Sequence, residues 1–187
     1  MFKLKIIVAS TRPGRKGPAI AAWIDEIARS HPDFEVSLLD LKEINLPFFD
    51  EPHHPSLHKY QHEHTKNWSL TIGEADAFIF VTPEYNFGFS APLKNALDFL
   101  FLEWNYKPVA FVSYGGISGG TRAVQMLKQV VTAQKMMPVT EAVYIPFFTK
   151  YFNDQDEFIG DDTLNKGADA MLKELAKWTK ALKPMRS

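Results

Sequence analysis

The chain has 187 residues, of which 45% are hydrophobic and 23% charged, with a formal net charge of −1. That mix describes one globular domain, residues 1–187, with a full core, and it removes the electrostatic basis for a nucleic-acid or anionic-membrane partner. The absence of cysteine excludes disulfides, thiolate catalysis and Cys-ligated metals and agrees with a reducing, cytoplasmic setting.

The N-terminus, Met1-Phe2-Lys3-Leu4-Lys5, runs straight into a strand with no signal-peptide apolar region, and no apolar stretch is long enough to span a bilayer. Apolar runs at 4–9, 34–39, 77–82, 109–114 and 139–145 are mostly continuous rather than alternating, the pattern of strands buried on both faces of a parallel sheet. Helical periodicity occupies 19–29, 60–74, 92–101, 121–135 and 164–182. The alternation predicts an α/β fold, an open doubly wound sheet with right-handed crossovers. Such sheets bind ligands at the carboxyl ends of their strands, near the topological switch point. Gly17-Pro18 opens the first helix and Ser90-Ala91-Pro92 the third, with Pro in the first turn, and Thr121 is expected to cap the fourth. Residues 46–55 form a Pro-punctuated loop, and the aromatic stretch 147–160 matches no regular element.

Three polar loops follow the first, third and fourth strands. In the first, Ser10-Thr11-Arg12-Pro13-Gly14-Arg15-Lys16-Gly17-Pro18, a strand runs through a basic, Gly-containing turn into a helix. Free amides at the helix start and the helix dipole favour an anion there; Arg12, Arg15 and Lys16 add charge, and Ser10 and Thr11 add hydroxyls. We read it as a phosphate cradle; the plain alternative is a solvated basic turn. In the second loop, Pro83-Glu84-Tyr85-Asn86-Phe87-Gly88, two aromatics can pack on a flat ring while Asn86 bonds its edge. The third, Ser113-Tyr114-Gly115-Gly116-Ile117-Ser118-Gly119-Gly120, allows close approach of a backbone rich in donors.

The first loop, Pro83-Glu84-Tyr85-Asn86 with the downstream Pro92-Leu93-Lys94-Asn95-Ala96-Leu97-Asp98, and the Gly115-Gly116 loop resemble, in order and spacing, the NAD(P)H-dependent FMN reductases of the flavodoxin-like proteins. The similarity covers about three-quarters of the chain by eye, and the Pro-Glu-Tyr-Asn segment is its most specific part. The resemblance implies a flavodoxin-like five-stranded parallel sheet in the order 2-1-3-4-5 with helices on both faces. It implies FMN as cofactor, with NADPH or NADH as electron donor and a flavin, quinone or similar planar molecule as acceptor. Ser10, Arg12, Arg15, Gly17, Pro18, Ala19 and Ile20 would hold the phosphate. Pro83, Glu84, Tyr85, Asn86 and Phe87 would line the isoalloxazine, and Ser113, Tyr114, Gly115 and Gly116 would approach its pyrimidine side. Many members carry a second Ser and an Asn where this chain has Gly17-Pro18-Ala19, so backbone amides and Arg15 replace side-chain contacts here. No protein acid or base is required, because the cofactor carries the hydride chemistry; no catalytic residue is nominated. An electron-transfer or sensor flavoprotein without its own nicotinamide oxidation, and a nucleotide-binding protein without flavin, are the alternatives.

Other features are read more plainly. His54, His58 and His62 recur every fourth residue beside His53, Glu63 and His64, but Pro55 interrupts the pattern and no HExxH is present, so a solvated loop and helix start is preferred to a metal site. Asp40, at the end of the second strand, reads as a turn or helix cap, since no G-x-G-x-x-G follows the first strand. The helix containing Leu93, Leu97, Leu100 and Phe101 is extended by Phe99, Leu102, Trp104 and Tyr106 into a surface apolar nearly all round, which suits deep burial or a subunit interface. A homodimer or homotetramer is expected, with Phe147-Phe148 and Tyr151-Phe152 joining that contact or covering a neighbour's pocket.

Overall fold

The computed structural model describes residues 1–186. Strand β1 (Phe2–Val8) lies between β2 (Phe34–Asp40) and β3 (Ala77–Pro83); β4 (Pro108–Gly115) flanks β3, and β5 (Met137–Pro138) and β6 (Val143–Pro146) both pair with β4. All of these pairings are parallel and the order is β2-β1-β3-β4-β5, the doubly wound, flavodoxin-like arrangement expected. The central strands are buried on both faces because they are continuous apolar runs: Ile6, Ile7, Phe78, Ile79, Phe80, Phe111 and Val112 are all fully buried.

Successive residues on each strand feed opposite layers. Ile6, Val8, Ile79, Val81 and Val112 pack beneath α1 (Gly17–Arg29) and α6 (Asp162–Leu182) with Ile20, Ile24, Leu172 and Leu175. Ile7, Phe78, Phe80 and Phe111 pack beneath α3 (Glu63–Gly73), α4 (Ala91–Asp98) and α5 (Thr121–Ala133) with Trp68, Leu93, Leu97 and Leu127.

The structure corrects several boundaries. The fifth sheet position holds two short strands, six in all, since pairing with β4 stops after Pro138↔Val109 and resumes at Val143↔Val112; Pro138 brings no ladder donor and sits at an edge, where that is tolerated. A short helix, α2 (Leu41–Ile44), follows β2 and is capped by Asp40, whose carboxylate accepts from Lys42 N. Thr121 is not a cap: Gly120, at φ +86°, holds that position. Helix α4 ends at Asp98, and Phe99, Leu100 and Trp104 beyond it turn inward, to 1% exposure or less, while Leu102 stays 46% exposed. Much of the apolarity of this segment is therefore taken up by the chain's own core. The stretch 147–160 likewise packs on its own chain. Phe148 meets Tyr114, Phe152 meets Phe158, and Phe158 meets Trp23 of α1, with ring centroids 5.2–5.5 Å apart.

Candidate functional site

The sheet register sets the first loop between two neighbours. Val8 is level with Asp40 of β2 and Val81 of β3, so the chain leaving β1 emerges between the ends of both. Ser10 is buried, and its hydroxyl makes no hydrogen bond among the described residues. Helix α1 starts at Gly17 without a side-chain cap, and its first intrahelical bond runs from Ile20 N to Lys16 O. The Gly17 and Ala19 amides thus lie ahead of the helical ladder, while Pro18 has none to offer. A Cβ on Gly17 would stand 2.3 Å from Ser10 Oγ and 2.8 Å from Tyr114 Oη, so only glycine lets these hydroxyls gather at the helix start. Burial pushes the Tyr114 phenol up to about 12, which keeps it a neutral donor. An unbonded buried hydroxyl, unladdered amides and a helix N-terminus together fit a phosphate.

The basic residues of this loop divide. Arg15 forms a two-pronged pair with Asp40 (Nη1–Oδ1 2.5 Å, Nη2–Oδ2 2.6 Å) and also donates to Ser10 O at 2.6 Å. Lys16 pairs with Asp156 and lies over the Phe152 ring. Both are structural braces in this arrangement. Arg12 is exposed, has no carboxylate partner among the described residues, and lies with its guanidinium 5.9 Å from the Tyr85 ring centre. It is the loop's uncommitted cation.

The second loop is a tight hairpin. Tyr85 N donates to Gly88 O and Gly88 N to Tyr85 O, both at 2.9 Å, with Asn86 and Phe87 both left-handed at φ +50° and +71°. The turn presents Tyr85 and Phe87 outward, 39% and 61% exposed. Pro83 is level with Tyr114, and Glu84 N donates to Tyr114 O at 3.2 Å, which docks the hairpin on the end of β4. The Glu84 carboxylate turns away from the open edge to accept from Arg122 N and Nε (3.1 and 2.6 Å) at the start of α5.

In the third loop, Ser113 Oγ donates to Gly119 O at 2.8 Å, while Gly116 O accepts from the Gly119 and Phe147 amides. Gly119 and Gly120 are left-handed, and a Cβ on Gly120 would stand 2.7 Å from Ser113 Cβ, so this loop must be glycine for it to fold back on β4. Ile117, in this loop, and Phe147, whose amide bonds it at Gly116 O, are 79% and 56% exposed.

The sixteen residues expected at the site fall on the first loop and the start of α1, on the hairpin after β3, and on the loop after β4, except that Pro83 ends β3 and Ser113, Tyr114 and Gly115 end β4. Ser10, Gly17 and Ala19 belong to the cradle, with Pro18 and Ile20 shaping the first turn of α1; Tyr85, Asn86 and Phe87 belong to the hairpin; Ser113, Tyr114, Gly115 and Gly116 belong to the end of β4 and the loop after it, and the surface that these three segments border is termed the shelf. Arg15 and Glu84 serve as braces. The sequence reading missed Arg122, which nothing marked out from other helix-surface arginines, and Ser90, whose hydroxyl ties the start of α4 to Ala9 O at 2.8 Å. Three of the histidines have protein partners: His54 caps a short turn, His58 pairs with Glu103 and His64 with Asp50. A cavity of about 470 Å³ opens beside the shelf between Thr11, Phe48 and Pro92. Another of about 630 Å³ lies at the amino ends of β3 and β4 around Asp76, Lys107 and Arg186, where Asp76 is already bonded by Lys3 N, Lys183 and Arg186.

A family model described as NADPH-dependent FMN reductase matches residues 2–150. An NAD(P)H-dependent FMN reductase of Schizosaccharomyces pombe is 44% identical over 148 residues, 77% of this chain and 74% of that one. Another of that description from Nectria is 34% identical over 183 residues, covering 93% and 91%. Among solved structures, the flavoenzyme NAD(P)H:(acceptor) oxidoreductase FerB from Paracoccus denitrificans superposes with a TM-score of 0.76 over 97% of this chain and 99% of that one, at 20% identity. The motifs on the three loops, the strand order and these matches agree: the chain belongs to the NADPH-dependent FMN reductase family.

Proposed function

We propose that this protein binds FMN on the shelf and passes electrons in pairs from NADPH or NADH to a quinone, a free flavin or a similar planar acceptor, donor and acceptor using the same open face in turn. The observation that carries this reading is the anion cradle at the start of α1, with its unbonded buried Ser10 hydroxyl, next to a hairpin whose exposed Tyr85 ring lies 5.9 Å from the Arg12 guanidinium. Bound FMN would supply the ring that accepts and returns the hydride.

The chain's own groups bind and orient. Ser10 Oγ, the Gly17 and Ala19 amides and the Arg12 guanidinium would hold the phosphate, and the dipole of α1 adds to their attraction. Pro83, Tyr85, Asn86 and Phe87 would form one wall against the ring, with Asn86 able to bond its edge. The backbone of Ser113, Tyr114, Gly115 and Gly116 would border its pyrimidine side, where amides stabilise negative charge without titrating. No residue is assigned a proton-transfer role. We further propose a cytoplasmic homodimer or homotetramer.

The test is the visible spectrum after FMN addition and desalting, then anaerobic NADPH or NADH. A retained flavin spectrum that bleaches is expected. Retained flavin that stays oxidised with both nucleotides means a carrier or sensor instead, and loss of flavin on desalting means weak, exchangeable binding or a nucleotide ligand in place of flavin.

A further inference from the structure

We infer that Arg122 is a positioning residue: it locks the Tyr85–Gly88 hairpin and the glycine loop after β4 into one rigid wall of the binding shelf. Three contacts converge on its guanidinium. Its Nε donates to Glu84 Oε1 at 2.6 Å and its Nη2 also reaches that carboxylate. Nη2 donates to Ser118 Oγ at 3.1 Å, in the glycine loop. The guanidinium carbon lies 3.9 Å from the centre of the Phe87 ring, at the tip of the hairpin. One side chain thus joins the exit of β3, the hairpin tip and the loop after β4.

The hairpin needs such a lock. Two-residue turns with both central residues left-handed favour Asn-Gly, and Asn86-Phe87 supplies only the first. Phe87 holds φ +71°, a conformation that a bulky L-residue rarely adopts unless its surroundings hold it there. The stacked guanidinium is the contact that does so. The lock is anchored at its buried end. The Glu84 side chain is 6% exposed against 45% for Arg122, and Glu84 accepts from Arg122 N at 3.1 Å and Ala123 N at 3.4 Å. It thereby supplies the N-terminal carboxylate that Gly120, the residue at the cap position of α5, cannot. Burial pushes the Glu84 carboxyl up, but the bonds from Arg122, Ser118 and Ala123 outweigh it and leave its pKa lowered.

The consequence for flavin rests on the FMN reading above, and the experiment separates the two. Amide hydrogen exchange is followed in the apo protein of wild type, Arg122→Ala and Arg122→Lys, and FMN affinity is measured by flavin fluorescence. Arg122→Ala is expected to speed exchange at the Tyr85 and Gly88 amides at least tenfold while the β1 and β3 amides keep their wild-type protection, and to raise the Kd for FMN about tenfold. Arg122→Lys keeps a charge for Glu84 but has no planar face for Phe87, so it should fall between. Unchanged exchange at Tyr85 and Gly88 in both variants overturns the lock, as does a uniform loss of protection across the sheet, which would make Arg122 a general stability residue. Wild type that binds no FMN overturns the cofactor reading alone, since the exchange data still decide the lock.

Discussion

Arg12 and Arg15 stand three positions apart in one basic loop, and the structure gives them opposite work. Arg15 and Asp40 retain only 11% and 16% side-chain exposure and bond through two parallel contacts, so the guanidinium is neutralised before any ligand arrives. Arg12 has no such partner. Replacing Arg12 with Ala should cost FMN binding about 1.5–3 kcal/mol, the worth of a hydrogen bond to a charged group, with the melting temperature unchanged. Replacing Asp40 with Ala should lower folding stability by roughly 2 kcal/mol, between the values for exposed and fully buried pairs, because the largely buried Arg15 loses its carboxylate and α2 loses its cap. Calorimetric melting and FMN titration of both variants check the division. Arg12 losing stability rather than affinity would reverse it. Charge alone made the two arginines look equivalent in the sequence. What separates them is the parallel pairing of β1 with β2, which brings Asp40 level with Val8, a relation between residues far apart in the chain.

At the scale of elements, the strands and helices were readable because continuous apolar runs and 3.6-residue periodicity are local properties. The ends were less so. Helix α4 stops at Asp98 although apolar residues continue through Trp104, and periodicity cannot distinguish a helix from a turn that dives into the core. The site loops were readable as loops, and their glycines as close approaches, but which glycine meets which strand was not. Gly17 is the sharpest case. A methyl group there collides with the hydroxyls of Ser10 and Tyr114, so Gly17→Ala must push α1 away from β4 or turn Ser10 aside. We expect a loss of about 1–3 kcal/mol in stability, typical of overpacking, together with weakened FMN retention. Denaturant melts and a desalting assay measure both, and a variant that keeps wild-type stability and flavin would mean the helix start has slack the structure does not reveal.

Across the whole molecule, charged pairs brace both ends of the strands: Arg15–Asp40 and Arg122–Glu84 near the carboxyl ends, and Asp76 with Lys183 and Arg186 near the amino ends. At the amino end of β4, Lys107 is 5% exposed and donates to the Ile72 and Gly73 carbonyls. Burial lowers its pKa to about 7, with Arg186 and Lys5 acting in the same direction and Asp76 and Glu103 opposing. Between pH 7 and the unfolded value of 10.5, the unfolded chain holds a proton that the folded chain lacks. This lysine therefore makes stability rise with pH over that window, by at most about 1.4 kcal/mol per unit. The acidic groups Asp76, Glu84 and Glu51 have lowered pKa values, each pushed up by burial but pulled down further by its hydrogen bonds. Their contributions are present above pH 4 to 5 and are lost as pH falls through the folded values. Urea melts from pH 4 to 10 should show both limbs, and Lys107→Met should flatten only the alkaline one. The exposed rim of Tyr85, Phe87, Ile117 and Phe147 carries a further, colloidal consequence. Aromatic surface left open to solvent favours self-association. FMN bound as proposed above would cover part of it, so flavin supply would also bear on how readily this protein self-associates.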